Sequence, residues 1–163
     1  MSIAKTLKIE SIIAIRDTRE RNPVDLGPLR VETGTLTTGD YSVKGLEHII
    51  AVERKSIEDL IGCVSQSRER FEKEVQRLKA YPIKALVIEG SWSTIELKQY
   101  RGQTHPNAVF GSVMSWLVSG LPVIMAEDRQ RAGRMIARIL YLGAKQRYGE
   151  VYSFLENQLK VAQ

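Results

Sequence analysis

Hydrophobic positions along the chain fall into two kinds of run, and the change of period between them marks its elements. Residues 11–16 are a continuous, largely β-branched run, the pattern of a strand buried on both faces. That run stops at Asp17-Thr18-Arg19-Glu20, and Arg21-Asn22-Pro23 follows as a loop. Residues 29–36 alternate weakly as a second strand, closed by Thr37-Thr38-Gly39-Asp40. Tyr41-Ser42-Val43 and residues 47–54 then form a hairpin-like pair around Lys44-Gly45. From Ser56 the period becomes helical. Ile57, Leu60, Ile61, Val64, Phe71, Val75 and Leu78 share one face of a single helix reaching about Ala80, with Tyr81-Pro82 as its stop.

Residues 83–89 predict another buried strand, 93–100 a short helix or turn, and 106–118 a helix. A strand over 121–126 and a long helix over 129–148 follow. After Gly149, residues 151–159 read as a separate short amphipathic helix, and the first ten residues read as a loose leader. This order predicts an α/β layered domain with a mixed sheet. One domain over 1–163 is expected, with a core at about 11–148 and a short terminal helix at 150–160.

Composition narrows the classes. No apolar run approaches the ~18 residues of a membrane span, and the amino terminus has no signal-peptide core. The lone Cys63 excludes an internal disulfide, fits a reducing cytoplasmic setting, and sits on the helical stripe as a small core residue. A net charge of +5 and a pI near 9.4 are compatible with a polyanionic partner without specifying one.

Chemistry concentrates in Gly39-Asp40-Tyr41 and in Val52-Glu53-Arg54-Lys55-Ser56-Ile57-Glu58-Asp59. Charge at the end of a buried strand is costly unless a partner, such as a metal ion, meets it. Two acidic side chains, with a Lys two residues on along the same strand face, are what a metal-dependent phosphodiesterase needs. Mg²⁺ suits so sparse a pair, because it keeps waters and phosphate oxygens. The bland alternative makes Asp40 a turn residue and Glu53 and Lys55 a surface strand edge.

Other charged residues carry two readings. Ser56-x-x-Asp59 is a near capping box, which accounts for Asp59 completely. Arg68 stands where the helical stripe requires an apolar residue, so it either points inward toward a phosphate or snorkels to solvent. Arg70, Lys73, Arg77 and Lys79 alternate with Glu69, Glu72 and Glu74 as a solvated face. Asp17, Arg19 and Glu20 follow a buried strand, where they either complete a metal site or begin a turn. His48 and His105 lack partners at zinc-ligand spacing. Arg131, Arg134 and Arg138 share a face that is either exposed or a DNA track. Met135, Ile136, Ile139, Leu140 and Leu142 cover more than one stripe, and Tyr152, Phe154, Leu155 and Leu159 add apolar area. Together they suggest a homodimer formed through the C-terminal helices.

Asp17-x-Arg19-Glu20, Gly39-Asp40-Tyr41 and Glu53-Arg54-Lys55-Ser56-x-x-Asp59-Leu60-Ile61 resemble the nuclease domain of the XPF family of structure-selective DNA endonucleases. Its signature is G-D, a variable gap, then E-R-K-x-x-x-D. Arg68 falls on the family's helix Arg, residues 112–116 resemble a later helical segment, and the likeness spans about residues 11–140.

The resemblance implies a restriction-endonuclease-like three-layer fold, with a central mixed sheet flanked by helices. It implies Mg²⁺ or Mn²⁺ dependence and cleavage of branched or junction DNA in repair or recombination. On that reading Asp17, Asp40 and Glu53 bind metal, Lys55 helps activate water, and Arg54 orients or contacts the phosphate. Arg19, Glu20, Asp59 and Arg68 support the site, and Arg54, Arg68 and Arg70 contact DNA. The family's tandem helix-hairpin-helix module is not found, so a compact stand-alone form of bacterial or phage origin is expected. A catalytically inactive scaffold subunit is the competing class, but every expected catalytic position holds the right chemical type. A nucleotide-binding domain is disfavoured, since no Gly-rich phosphate loop follows the first strand.

Overall fold

The structure, a computed structural model, describes residues 5–161. The ends of the expected domain, including residues 1–4 of the expected leader, lie outside the described residues. Six strands form one sheet: β1 Ile13–Asp17, β2 Arg30–Gly34, β3 Tyr41–Val43, β4 Ile50–Ser56, β5 Ile83–Glu89 and β6 Val123–Met125. Their order is β2-β1-β3-β4-β5-β6. β3 runs antiparallel to both its neighbours, and the other pairings are parallel, so the sheet is mixed. The helices are α1 Ile57–Val64, α2 Arg68–Lys79, α3 Trp92–Glu96, α4 Pro106–Val118 and α5 Arg129–Val161. None of them is long and apolar enough to cross a membrane.

Strand alternation builds the layers. Tyr41, Val43, Ile50, Val52, Ala85 and Val87 pack on one side against Ala132, Ile136, Leu140 and Ala144 of α5. Ala51, Leu86 and Ile88 pack on the other against Leu60, Val64, Phe71, Val75, Val113 and Trp116 of α1, α2 and α4. The result is the three-layer fold expected, with β4 and β5 buried on both faces. Met135 and Ile139 also pack on the α5-side core. One sheet face therefore takes up most of the wide apolar stripe, and Leu142 stays 48% exposed.

Several element bounds differ from expectation, and three of the differences have a visible local cause. The helix read over 56–80 is two helices. Ser65 leaves the helix at φ −121, ψ −108, and its Oγ donates to the Ile61 carbonyl at 2.6 Å. That local bond competes with the backbone ladder. Arg68 thus opens a new helix rather than interrupting an old stripe. The separate helix read over 151–159 is the continuation of α5, which runs unbroken through Gly149. Arg147 Nη1 and Gln146 Nε2 donate across that point to Glu150 at 2.5 and 3.2 Å. β2 is shorter than residues 29–36 and lies at the sheet edge almost wholly exposed, which explains its weak alternation.

Two glycines bring backbones close. Gly39 has φ +81, and a Cβ there would sit 3.1 Å from the Val52 carbonyl oxygen. This turn lets Asp40 N donate to that oxygen at 2.9 Å, while Asp17 N donates to the Asp40 carbonyl at 2.8 Å. Gly133 lets the Asp25 carbonyl rest on α5, where a Cβ would come within 2.2 Å of it.

Gly149 meets nothing within 4 Å, so its cost to α5 is conformational. Gly149→Ala should stabilise the end of α5 by about 1 kcal/mol. Amide exchange over residues 150–160 should then slow roughly fivefold; unchanged exchange would contradict a continuous helix.

Candidate metal and phosphate site

β4 delivers three consecutive charges, and its pleat divides them. Glu53 and Lys55 share the face of Ala51, toward α1 and α2, while Arg54 shares the face of Val52, toward α5. On the first face Lys55 Nζ pairs with Glu53 Oε1 and lies 5.4 Å from the centroid of the Phe71 ring. Asp40 joins them across the sheet, its Oδ2 accepting the Arg54 backbone N–H at 2.9 Å.

Both carboxylates resist ionisation. Burial pushes Asp40 up to about 6, against the Arg54 N–H bond and the Lys55 charge. Burial pushes Glu53 up to about 7, and the neighbouring Asp40 charge adds to it. Lys55 is raised as well: burial opposes this, but the charge and hydrogen bond of Glu53 outweigh burial.

The other expected residues divide sharply. Asp17 was expected at the metal, but both its oxygens are taken. Oδ1 accepts from Arg19 N at 2.9 Å and Arg19 Nε at 2.7 Å. Oδ2 accepts from Leu36 N at 2.7 Å and Arg19 Nη2 at 3.2 Å. Burial works against its ionisation, yet these bonds hold the carboxyl below its usual range. Asp17 and Arg19 thus form a closed turn that ties β1 to the loop before Gly39.

Arg54 was expected at a phosphate, and its side chain is engaged by carboxylates instead. Its guanidinium is buried, with Nε and Nη2 gripping Glu20 at 2.9 Å each and Nη1 on Glu89 at 2.7 Å. Glu20 serves that pair. Asp59 caps α1, its Oδ2 accepting from Ser56 Oγ at 2.8 Å while its N–H donates to Ser56 Oγ at 3.0 Å. Arg68 is exposed at the start of α2 and bonds Ser112 Oγ on α4 at 3.3 Å, and Arg70 is exposed beside it.

The ERCC4 domain family matches residues 16–139, most of the chain. The chain belongs to that family. No curated protein sequence matches it. Among solved structures it is similar to XPF from Aeropyrum pernix, with a TM-score of 0.64 and 23% identity over 80% of this chain and 60% of that one. It is similar also to XPF from Aeropyrum pernix in complex with DNA, with a TM-score of 0.66 and 22% identity over 83% of this chain and 66% of that one. The chain therefore spans about three fifths to two thirds of the XPF chains it matches. The E-R-K element and its preceding G-D lie within the matched residues.

In this ERCC4 domain the carboxylates that could meet a cation are Asp40 and Glu53. Among the described residues no group of three or more His, Cys, Asp or Glu is arranged to hold a metal. Two carboxylates fit Mg²⁺ or Mn²⁺ that keeps other positions for water and phosphate, and fit poorly an ion needing a full protein cage. Sequence reasoning missed three residues here. Glu74 of α2 adds a weak repulsion to Glu53 and pairs with Arg77. Glu89 and Arg129 hold the back of Arg54. Glu89 carried a legible signal, since it too is a charge ending a buried strand.

The raised carboxylates make a pH prediction for the metal-free ERCC4 domain. The folded pair holds protons up to about pH 6–7, whereas the unfolded groups release them near their ordinary values of 3.8 and 4.5. The resulting stabilisation is complete below about pH 4 and is lost as pH rises through 6–7. The metal-free melting temperature should fall across that window, and less so in Asp40→Asn. Mg²⁺ should raise it more at pH 8 than at pH 5. Parallel profiles for wild type and Asp40→Asn would show that the pair does not titrate there.

Proposed function

We propose that this domain is a divalent-metal-dependent DNA endonuclease acting on branched or junction-containing DNA. The observation that carries the reading is a pair of carboxylates, buried Glu53 and half-buried Asp40, with one ammonium beside them and too little positive charge to ionise them comfortably. A divalent cation held there supplies charge neutralisation at a phosphate and a more acidic bound water.

The chain's own residues do the rest. The Arg54 N–H fixes Asp40. Glu53 holds Lys55, and the Phe71 ring lies beside the ammonium, keeping that donor beside the attacking water. Arg68 and Arg70 lie exposed at the start of α2, where they can meet the DNA backbone, and the +5 net charge suits such a partner. DNA as partner draws support from the likeness to XPF, one of whose structures is a complex with DNA, and the junction preference rests on the G-D and E-R-K motifs of the sequence alone. The lone buried Cys63, its thiol pushed up to about 11 by burial, fits a reducing cytoplasmic setting. An inactive scaffold is disfavoured because Asp40, Glu53 and Lys55 converge with the chemistry intact.

Asp40→Asn and Glu53→Gln should each lower cleavage roughly a thousandfold in Mg²⁺ while the fold stays intact. Lys55→Ala should lower kcat with little change in KM, and Lys55→Arg should not restore it. Arg68→Ala should weaken binding and its salt dependence. Single-turnover rates and Ca²⁺-supported titrations on fork, flap, duplex and single-stranded DNA separate these effects. Near wild-type turnover in either carboxylate variant would overturn the site.

Homodimerisation through α5 is the second part of this reading. Beyond the sheet α5 leaves Val151, Phe154 and Leu159 exposed, and with half-buried Leu155 they make an apolar face on the helix extension. A dimer mass by light scattering at tens of micromolar, reduced to monomer in Phe154→Glu, is the expected result. A wild-type monomer mass would remove it.

A further inference from the structure

Arg54 sits in the middle of the sheet with its side chain only 7% exposed. A guanidinium so placed must be paired. Glu20 takes it bidentately at 2.9 Å, and Glu89 takes its remaining edge at 2.7 Å. Glu89 lies at the last position of β5, across from Ser56 in the parallel register with β4.

Behind it stands Arg129, in the first turn of α5. Its Nη1 lies 3.7 Å from Glu89 Oε1, and its Nη2 donates to the Asn22 carbonyl at 3.0 Å and to that of Pro23. The loop that carries Glu20 is thereby tied to the same cluster. Two carboxylates and two guanidiniums balance in charge and join the loop after β1 to β4, β5 and α5.

The cluster has one outlet toward the acidic pair. Arg54 N donates to Asp40 Oδ2 at 2.9 Å, the only hydrogen bond to that carboxylate among the described residues. Glu53 and Lys55 flank the same residue along β4. We propose that Glu89 and Arg129 are positioning residues for the Asp40–Glu53 pair, acting through the Arg54 side chain on the β4 backbone that aims all three site residues. The proposal rests on the reading of that pair as the metal and phosphate site.

Partners one layer behind a ligand commonly change metal affinity or activity about 10- to 100-fold. Glu89→Gln should therefore raise the Mn²⁺ concentration for half-saturation, read by electron paramagnetic resonance without DNA, by about tenfold. Single-turnover cleavage in Mg²⁺ should fall by a similar factor, with DNA affinity in Ca²⁺ unchanged within about twofold. Arg129→Ala should shift the same readouts less, its ion pair being longer and 43% exposed, and Arg129→Lys should recover part of that shift. If Glu89→Gln does not fold, Arg129→Ala alone decides. A stability loss with wild-type Mn²⁺ affinity would leave the cluster structural only and overturn the proposal.

Asp40→Asn, run in parallel, tests the site itself. If it loses Mn²⁺ while Glu89→Gln and Arg129→Ala keep it, only the positioning roles fail. If Asp40→Asn keeps Mn²⁺, the underlying site assignment fails, and with it this proposal.

Discussion

Strand β4 drives Glu53, Arg54 and Lys55 into a sheet covered on both faces, and the rest of the molecule is arranged around those three charges. Burying a charge without a partner costs far more than any one packing contact returns. Each face must therefore answer the charge it receives. Toward α5 the answer is complete, because Glu20 and Glu89 enclose Arg54 and Arg129 balances them. Toward α1 and α2 it is partial, because Lys55 meets Glu53 but leaves Asp40 short of a counter-charge.

That asymmetry separates architecture from chemistry. A closed ion cluster fixes backbone positions and leaves little to offer a ligand. An acidic pair with one ammonium keeps an unmet demand for positive charge, which is what distinguishes a site from a staple. Gly39 makes the pairing possible. Only a residue free to adopt φ +81 lets the turn run against the Val52 backbone and set Asp40 beside β4.

Much of this was legible in the chain. The alternation of β4 placed Glu53 and Lys55 together, the Gly39-Asp40 turn flagged Asp40, and Ser56-x-x-Asp59 announced the start of α1. The same alternation put Arg54 on the opposite face, but its partners come from β5, α5 and the loop after β1. Strand order across a sheet is not written in local pattern, so the carboxylates that engage Arg54 could not be read from the sequence. Asp17 illustrates the same limit. Both a turn reading and a metal reading were open locally, and the Leu36 N–H that engages its carboxylate arrives from nineteen positions away. The break at Ser65 was hidden because apolar residues resume in step after it, although two serines within three residues carry the means to uncouple a helix.

A donor set of Asp40 and Glu53 without Asp17 keeps the charge balance of the proposed site. Asp17 is cancelled by Arg19 before it can contribute. Asp40, Glu53 and Lys55 leave one net negative charge when both carboxylates are ionised. A divalent cation converts that to one net positive charge, and a single phosphodiester cancels it. A third ionised carboxylate would leave the complex with substrate negative, opposing the further negative charge that builds on the phosphate during attack. In the proposed reaction, the two-carboxylate site with its paired lysine is thus the arrangement in which metal and substrate phosphate each improve the binding of the other.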